Sequence, residues 1–156
     1  MNIQNLIRFV SKARKKCGYE VVGGGRETTL KDGTKIIGPY TDGKMKYIDS
    51  YKGFEEFRGM EEVIQKARRL WKRKYEGRII EGYKGMAEEV YEILKHALRQ
   101  FPKTKPFRRG PKHLRIGEYQ YFDVCRGDMK LFSGKEKILY KGQEVYSLNY
   151  KGGVSK

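Results

Sequence analysis

The chain has 156 residues, and its 35 Lys and Arg against 19 Asp and Glu give a formal net charge of +16 at pH 7. This length is typical of one domain, residues 1–156, which can bury a core without a disulfide or a metal. The aromatic content argues against an intrinsically disordered chain, and the charge favours polyanionic partners such as nucleic acid. A charged surface with no binding role is the competing explanation.

The first predicted element is an amphipathic helix, because apolar residues recur at helical spacing between Lys and Arg. These residues are Ile3, Leu6, Ile7, Val10 and Ala13. Gly18 is placed to end this helix.

Next, Gly23-Gly24-Gly25 and Arg26 offer backbone amides of the kind that bind phosphate, but they lack the Lys-Ser/Thr of a P-loop. A flexible turn is therefore the favoured interpretation.

A strand follows in KMKYIDSY, where polar and apolar residues alternate. The second half of the chain has the same order of elements. A helix is predicted from about Met86 to Phe101, with Pro102 ending it. The loop FPKTKPFRRGPKH comes next, and EYQYFDVC then alternates as a strand.

Residues 61–75 fit two structures. EEVIQKARRLWKRKY places Val63, Ala67 and Leu70 on one side of a helix, and helix propensity alone favours that structure. Its counterpart in the second half, EKILYKGQEVYSLNY, has Gly142 at its centre and reads as a hairpin. By that correspondence, residues 61–75 are predicted to be two strands joined near Lys66–Arg69.

The two halves share residues in register. Gly43, Tyr47, Asp49 and Gly53 recur 74 positions later, and Gly59, Glu61, Val63, Tyr75 and Gly77 recur 75 positions later, with Ile in place of Val63. This pattern predicts an α+β fold built by internal duplication of a helix plus a four-stranded antiparallel meander. The repeats, residues 1–79 and 86–154, are expected to be related by a pseudo-two-fold axis, with the helices packed on a curved antiparallel sheet.

These residues also resemble an uncharacterised prokaryotic family, a domain of unknown function. The matching residues are Gly23 to Gly25, Tyr47, Asp49, Gly53, Phe57, Gly59, Glu61, the PFRRGP loop from Pro106 to Pro111, Gly117, Tyr119, Tyr121, Phe132, Gly134, Glu136 and the closing YKGG from Tyr150 to Gly153. In some bacterial regulators such a domain follows a helix-turn-helix module. The resemblance therefore implies an effector-sensing or interaction role.

Two aspartates are the first candidate site. Strand alternation places Tyr47 beside Asp49 on one face and Tyr121 beside Asp123 on the equivalent face of the second half. If the two acids share a pocket, their repulsion raises one pKa and the four residues bind a small-molecule effector. The alternative is a structural role, in which each aspartate accepts a hydrogen bond from a Tyr hydroxyl group or caps a turn. The sequence favours the structural alternative.

Basic clusters beside aromatic residues are the second candidate site. Basic side chains interleaved with aromatic rings are typical of RNA and single-stranded DNA binding, because phosphates pair with the charges and bases stack on the rings. The predicted polyanion-binding residues are Arg68, Arg69, Trp71, Lys72, Arg108, Arg109 and Lys112. The alternative is a solvated charged face with Trp71 in the core.

No catalytic motif emerges from the sequence. His96 and His113 are isolated, so neither a metal site nor a catalytic triad is predicted, and no cofactor is expected. Cys17 and Cys125 form no CxxC motif, which favours a cytoplasmic location. No membrane span is expected, and the oligomeric state stays open. A non-catalytic protein that binds nucleic acid or another polyanion is the leading hypothesis; an effector-binding module and a structural or oligomerising protein are the alternatives.

Overall fold

The computed structural model describes residues 1–21 and 26–156. The helices and strands of these ranges are, in chain order, α1 (Ile3–Cys17), β1 (Glu27–Thr29), β2 (Lys35–Asp42), β3 (Met45–Gly53), β4 (Glu56–Gln65), β5 (Arg68–Ile79), a 3-10 turn (Lys84–Met86), α2 (Ala87–Leu98), β6 (His113–Ile116), β7 (Tyr119–Asp128), β8 (Leu131–Tyr140) and β9 (Gln143–Val154). Within the described ranges, no helix has both the length and the hydropathy needed to span a bilayer.

The strands form one antiparallel sheet in the order β1-β2-β3-β4-β5-β9-β8-β7-β6. At its centre, β5 pairs with β9 along Trp71–Ile79, so the sheet is continuous across the two halves of the chain. The predicted fold is therefore wrong. Over the described residues the protein is a nine-stranded antiparallel sheet with two helices, and not a duplicated helix plus four-stranded meander about a pseudo-two-fold axis.

The physical reason for this difference is edge pairing. Two separate meanders would each expose a long edge strand with unpaired N–H and C=O groups. Pairing β5 with β9 satisfies both edges and produces one sheet. The strand β1 also extends the sheet beside β2, and the predicted four-stranded unit has no place for it.

The hairpin prediction for residues 61–75 is confirmed. β4 and β5 pair from Glu56 opposite Arg78 to Gln65 opposite Arg68. Lys66 and Ala67 form the turn with φ angles of 52° and 61°, the left-handed conformation that a tight two-residue hairpin turn requires. Burial outweighs helix propensity here, because alternate residues of β5 enter the core.

Both predicted helices are present. The side chain of Asn2 caps α1 by accepting hydrogen bonds from the backbone N–H groups of Gln4 (2.9 Å) and Asn5 (3.2 Å). The second helix, α2, is shorter than predicted and ends at Leu98, although Phe101 beyond its end is also buried.

One hydrophobic core lies between the helices and one face of the sheet, called here the inner face. The apolar sides of α1 and α2 join alternate residues of the strands in a single buried cluster. Because side chains alternate along a strand, the intervening residues point to the opposite, outer face of the sheet. The inner face also carries charged residues, among them Asp49, Glu61, Arg73, Asp123 and Glu136, all of which are buried.

Candidate functional site

A cavity of about 520 Å³ opens beside the inner face of β3, β4 and β5. Aromatic side chains supply much of its wall: Tyr19, Tyr51, Phe54, Phe57, Tyr75 and Tyr91. Acidic lining residues outnumber basic ones: Glu20, Glu27, Asp49, Glu61, Glu88, Glu89 and Glu92 against Arg14, Lys35, Arg73, Lys95 and Arg109. This aromatic cavity with nearly balanced charges contrasts with the strongly basic composition of the chain as a whole.

Asp49 is one of the buried carboxyl groups at the wall of this cavity. It lies on β3, and the Tyr75 hydroxyl donates a hydrogen bond of 2.6 Å to its Oδ1. Tyr75 belongs to β5, so its ring crosses β4 over Gly59 to reach Asp49. A Cβ atom at position 59 would overlap the Tyr75 hydroxyl, so only glycine leaves room for this hydrogen bond.

Burial raises the pKa of Asp49 to about 8, and the negative charge of Glu61 acts in the same direction. The hydrogen bond from Tyr75 and the charges of Arg109 and Arg73 oppose this rise in pKa only in part. Asp49 forms no ion pair with any residue in the described ranges. Near pH 7 it is therefore largely a neutral acid, and a charge that approaches through the cavity can change its ionisation.

Glu61, on β4, is ionised instead. Burial opposes its charge, but the Arg73 guanidinium outweighs burial and lowers the pKa of Glu61 to about 2. Arg73 donates from Nε to Glu61 Oε2 (2.5 Å) and from Nη2 to Oε1 (2.8 Å), and Tyr47 donates its hydroxyl to Oε1 (2.5 Å). Tyr47, Asp49, Glu61, Arg73 and Tyr75 are called here the Asp49 cluster.

The loop from Pro106 to Arg109 reaches the cavity at Arg109, and two buried arginines hold the loop in place. Arg73 Nη1 donates to the carbonyl oxygens of Pro106 (3.0 Å) and Phe107 (2.8 Å). Arg14 donates to those of Pro106 (3.0 Å), Arg108 (2.6 Å) and Arg109 (2.7 Å), and its Nε lies 3.3 Å from Glu20 Oε1. Their guanidinium groups are thus occupied by carboxylates and backbone carbonyls.

A second group of buried acids, the Asp123 cluster, lies on β7, β8 and β9. Tyr150 donates to Asp123 (2.8 Å), and Glu136 accepts hydroxyl hydrogen bonds from Tyr121 (2.5 Å) and Tyr146 (2.7 Å). Two cations from the loop complete this cluster. Arg108 Nε lies 3.6 Å from Asp123 Oδ2, and Arg109 Nε lies 3.0 Å from Glu136 Oε1.

The structure does not bring the two predicted aspartates into one pocket. Four strands separate β3 from β7, which corresponds to about 24 Å of sheet between Asp49 and Asp123. Asp49 lines the cavity, whereas Asp123 is only 1% exposed and lies outside its lining. The hydroxyl groups of Tyr47 and Tyr121 are committed to glutamates, so the tyrosine that reaches Asp49 is Tyr75.

The predicted polyanion-binding residues are dispersed. Trp71 is fully buried, with its ring centroid 5.8 Å from that of Phe132, and Arg109 is buried beside Glu136. Arg108 is half-buried at Asp123. The remaining four residues reach solvent to differing extents: Arg68, Arg69, Lys72 and Lys112. Gly23, Gly24 and Gly25, considered for phosphate binding, lie outside the described residues.

Sequence reasoning missed the roles of Arg14, Arg73 and Glu61. An Arg in a helix or strand ordinarily reads as a surface residue, and nothing in its local sequence names a distant carboxylate partner. One signal was available for Arg73. It stands two positions from both Trp71 and Tyr75, which places all three on the same face of β5.

A family model described as "Domain of unknown function (DUF5680)" matches residues 49–155, more than half of the chain. The chain belongs to this family. No curated protein matches the chain, and no solved structure matches it. The matched segment of the DUF5680 chain begins at Asp49. It includes the Asp123 cluster, the Pro106–Arg109 loop and the Asp49 cluster apart from Tyr47, but neither Arg14 nor Glu20. Among the described residues, no group of three or more His, Cys, Asp or Glu is arranged to hold a metal ion.

Proposed function

We propose that this protein is a small-molecule-binding module whose ligand occupies the cavity beside Asp49. One observation carries the proposal. Asp49 is a buried carboxyl group at a cavity wall, and its one side-chain hydrogen bond within the described ranges comes from the neutral Tyr75. Burying such a group without an ion pair costs free energy, and a ligand that pairs with it would offset that cost.

The ligand class follows from the walls of the cavity. A buried carboxyl group without a cation favours a ligand that brings its own positive charge. The aromatic rings of Tyr51, Phe57 and Tyr91 favour an apolar body and attract a cation through their π-faces. At the cavity wall, Glu88 and Glu89 form no ion pair in the described part of the chain and add negative potential. The proposed ligand is an organic cation with an aromatic or other apolar body.

An anionic ligand is disfavoured although three arginines line the cavity. Arg73 is occupied by Glu61, and Arg14 by three backbone carbonyls. Arg109 lies 3.0 Å from Glu136, and its guanidinium carbon is 5.1 Å from the centre of the Tyr75 ring. An anion would have to displace the hydrogen-bond partners of Arg14 and Arg73 and compete with Glu136 for the charge of Arg109. A cation instead meets a carboxyl group that forms no ion pair within the described ranges.

The family resemblance indicates what such ligand binding would be for. A domain that follows a helix-turn-helix module in a regulator is suited to sense an effector. We therefore also propose that this protein senses an effector by binding it in the cavity beside Asp49.

The test uses three ligands of one shape: naphthylmethyl-trimethylammonium, naphthylmethanol and naphthylacetate. Calorimetry is expected to rank the cation first. Its affinity should rise between pH 6 and pH 9 as Asp49 loses its proton, since the quaternary ammonium group itself does not titrate. Asp49→Asn should weaken cation binding about tenfold and abolish the pH dependence.

Asp123→Asn is the matched control, because Asp123 is also buried and bonded to a tyrosine but lies outside the cavity lining. It should leave cation binding unchanged. Preferential binding of naphthylacetate would overturn the assignment of a cationic ligand. Failure of all three compounds to bind at millimolar concentration, or equal losses in both variants, would overturn the site itself.

A further inference from the structure

The outer face of the sheet carries a second concave feature, a groove of about 930 Å³ that crosses β4, β5, β9, β8 and β7. Five of its lining side chains are cationic: Arg58, Lys74, Arg126, Lys135 and Lys151. Glu76 is the one acidic residue in the lining, and it lies 3.5 Å from Arg58. The cavity beside Asp49 lies on the inner face, and Tyr75 of β5 borders both features.

The strand register places these cations in a row. Lys74 on β5 is directly opposite Lys151 on β9, Lys151 is opposite Ser133 on β8, and Ser133 is opposite Arg126 on β7. With neighbouring strands about 4.8 Å apart, the row from Lys74 to Arg126 spans about 14 Å. Lys135 lies two residues from Ser133 on the same face of β8.

The charges of this row gain no stabilising ion pair from the described part of the chain. Like charges directly opposite each other on adjacent strands are destabilising, as at Lys74 and Lys151. In residues 1–21 and 26–156, none of Lys74, Arg126, Lys135 and Lys151 forms an ion pair. Other exposed lysines do have acidic partners, for example Lys12 with Asp42 and Lys141 with Glu118. An external polyanion would neutralise the unpaired row.

The rest of the outer face carries apolar, polar and aromatic side chains of the kinds that contact nucleic-acid bases. Val124 is 65% exposed in the groove, and Asn149 and Ser133 offer hydrogen-bonding side chains beside it. Phe122 lies on the same face of β7 two residues from Val124, with its ring centroid 4.7 Å from that of His113. Aromatic rings next to a basic groove are the combination that binds single strands, because bases stack on the rings while phosphates meet the cations.

We propose that the outer face of the sheet binds single-stranded nucleic acid, with phosphates along Lys74, Lys151, Arg126 and Lys135. The shape of the groove favours a single strand over an anionic bilayer, because a narrow flexible chain enters a recess that a flat surface spans. Lys72, predicted from the sequence, extends the row along β5, whereas Arg68 and Arg69 stand beside the tip of the β4–β5 hairpin.

The experiment measures fluorescence anisotropy of a labelled twelve-nucleotide oligouridine with the intact chain. The groove variant combines Lys74→Gln, Arg126→Gln and Lys151→Gln. The matched control combines Lys31→Gln, Lys44→Gln and Lys105→Gln, three exposed lysines in turns that form no ion pair within the described ranges. Both variants lose three charges, and circular dichroism verifies their folding.

The groove variant should bind oligouridine at least tenfold more weakly. Because each lost phosphate contact removes about 0.7, the slope of log K against log salt should become about 2 units less steep. The control should keep the slope of the wild type. Equal losses in both variants would reduce the interaction to general charge attraction and overturn the proposal. Tighter binding of duplex DNA, or of phosphatidylserine vesicles, than of oligouridine would overturn the choice of a single strand.

Discussion

The Asp49 cluster and the Asp123 cluster have the same chemical parts but different surroundings. In each, a tyrosine from one strand reaches over a glycine to donate to an aspartate two strands away, and a second tyrosine donates to a glutamate on the neighbouring strand. The clusters differ in the source of their cations. Arg73 is built into β5, whereas Arg108 and Arg109 enter the Asp123 cluster from a loop.

That difference decides which cluster faces a cavity. The loop that carries Arg108 and Gly110 covers Asp123, and the Gly110 N–H lies 3.5 Å from Asp123 Oδ2. Asp49 is also buried, but among the described residues its carboxyl group receives no ion pair and no backbone N–H from that loop, and the cavity lies beside it. Similar strand sequences therefore give one closed cluster and one open cluster, because a loop supplies the cover.

The largest effect is expected from removing the strand cation. Arg73→Met leaves Glu61 buried with only the Tyr47 hydroxyl as a side-chain donor, which should cost about 3–5 kcal/mol in the free energy of unfolding. Arg109→Met should cost less, because Glu136 keeps two tyrosine donors. Urea titration of both variants compares the clusters directly. A greater loss for Arg109→Met would contradict the assignment of Arg73 as the main counter-charge on the inner face.

A smaller effect is expected from pH. Because the pKa of Asp49 is raised to about 8 in the folded state, this group stabilises the fold at low pH, and that stabilisation is lost between about pH 4 and pH 8. Glu61 has its pKa lowered to about 2, so its contribution is constant above about pH 5. The unfolding free energy should thus fall by about 2–4 kcal/mol from pH 5 to pH 8.

Asp49→Asn should flatten this pH dependence and make the protein more stable than the wild type at pH 8. Urea titrations at several pH values measure both effects. Asp123→Asn provides the comparison, since burial raises the pKa of Asp123 as well but Arg108 and the Gly110 N–H favour its charged form. If both variants flattened the dependence of the unfolding free energy on pH equally, the electrostatic environments of Asp49 and Asp123 would not differ as proposed.

The smallest effect is expected from the two glycines beneath the crossing tyrosines. A methyl group at Gly59 or Gly134 would overlap the ring of Tyr75 or Tyr150, so each alanine variant should lose about 1–3 kcal/mol. Gly59→Ala should lose more, because its Cβ would also lie 2.7 Å from the backbone oxygen of Ser50. Thermal unfolding ranks the pair, and an unchanged melting temperature in either variant would exclude close ring packing at that site.

The sequence predicted the local structure better than the assembly of the sheet. Alternation identified β3 and β7 and placed Tyr47 on the same face as Asp49, because a period of two determines the faces of a strand. The pairing of β5 with β9 was not predicted, since alternation identifies a strand but not its partner. The shared residues of the two halves predicted two repeats of four strands about a pseudo-two-fold axis, whereas the structure has one sheet of nine strands in which β5 pairs with β9.

The candidate site was predicted only in part. Asp49 was identified because a carboxylate among tyrosines is unusual, but its partner Tyr75 depends on a contact across two strands. Charge composition misled at Arg109, because an arginine in a basic loop reads as solvated until a buried Glu136 is placed beside it. The cavity depends on where the loop and α2 pack, and tertiary packing of this kind leaves no periodic signal in the sequence.

The hydrogen bonds from Arg14 to the Pro106–Arg109 loop have a consequence for folding. They join residues 92 to 95 positions apart along the chain. Closing so long a chain segment costs entropy before any of these bonds forms, whereas the β4–β5 hairpin closes locally. The hairpins should therefore form early, and the loop should dock only after α1 has packed. Arg109 then reaches its place beside the cavity in one of the last steps of folding, so the binding site is completed later than the sheet that supports it.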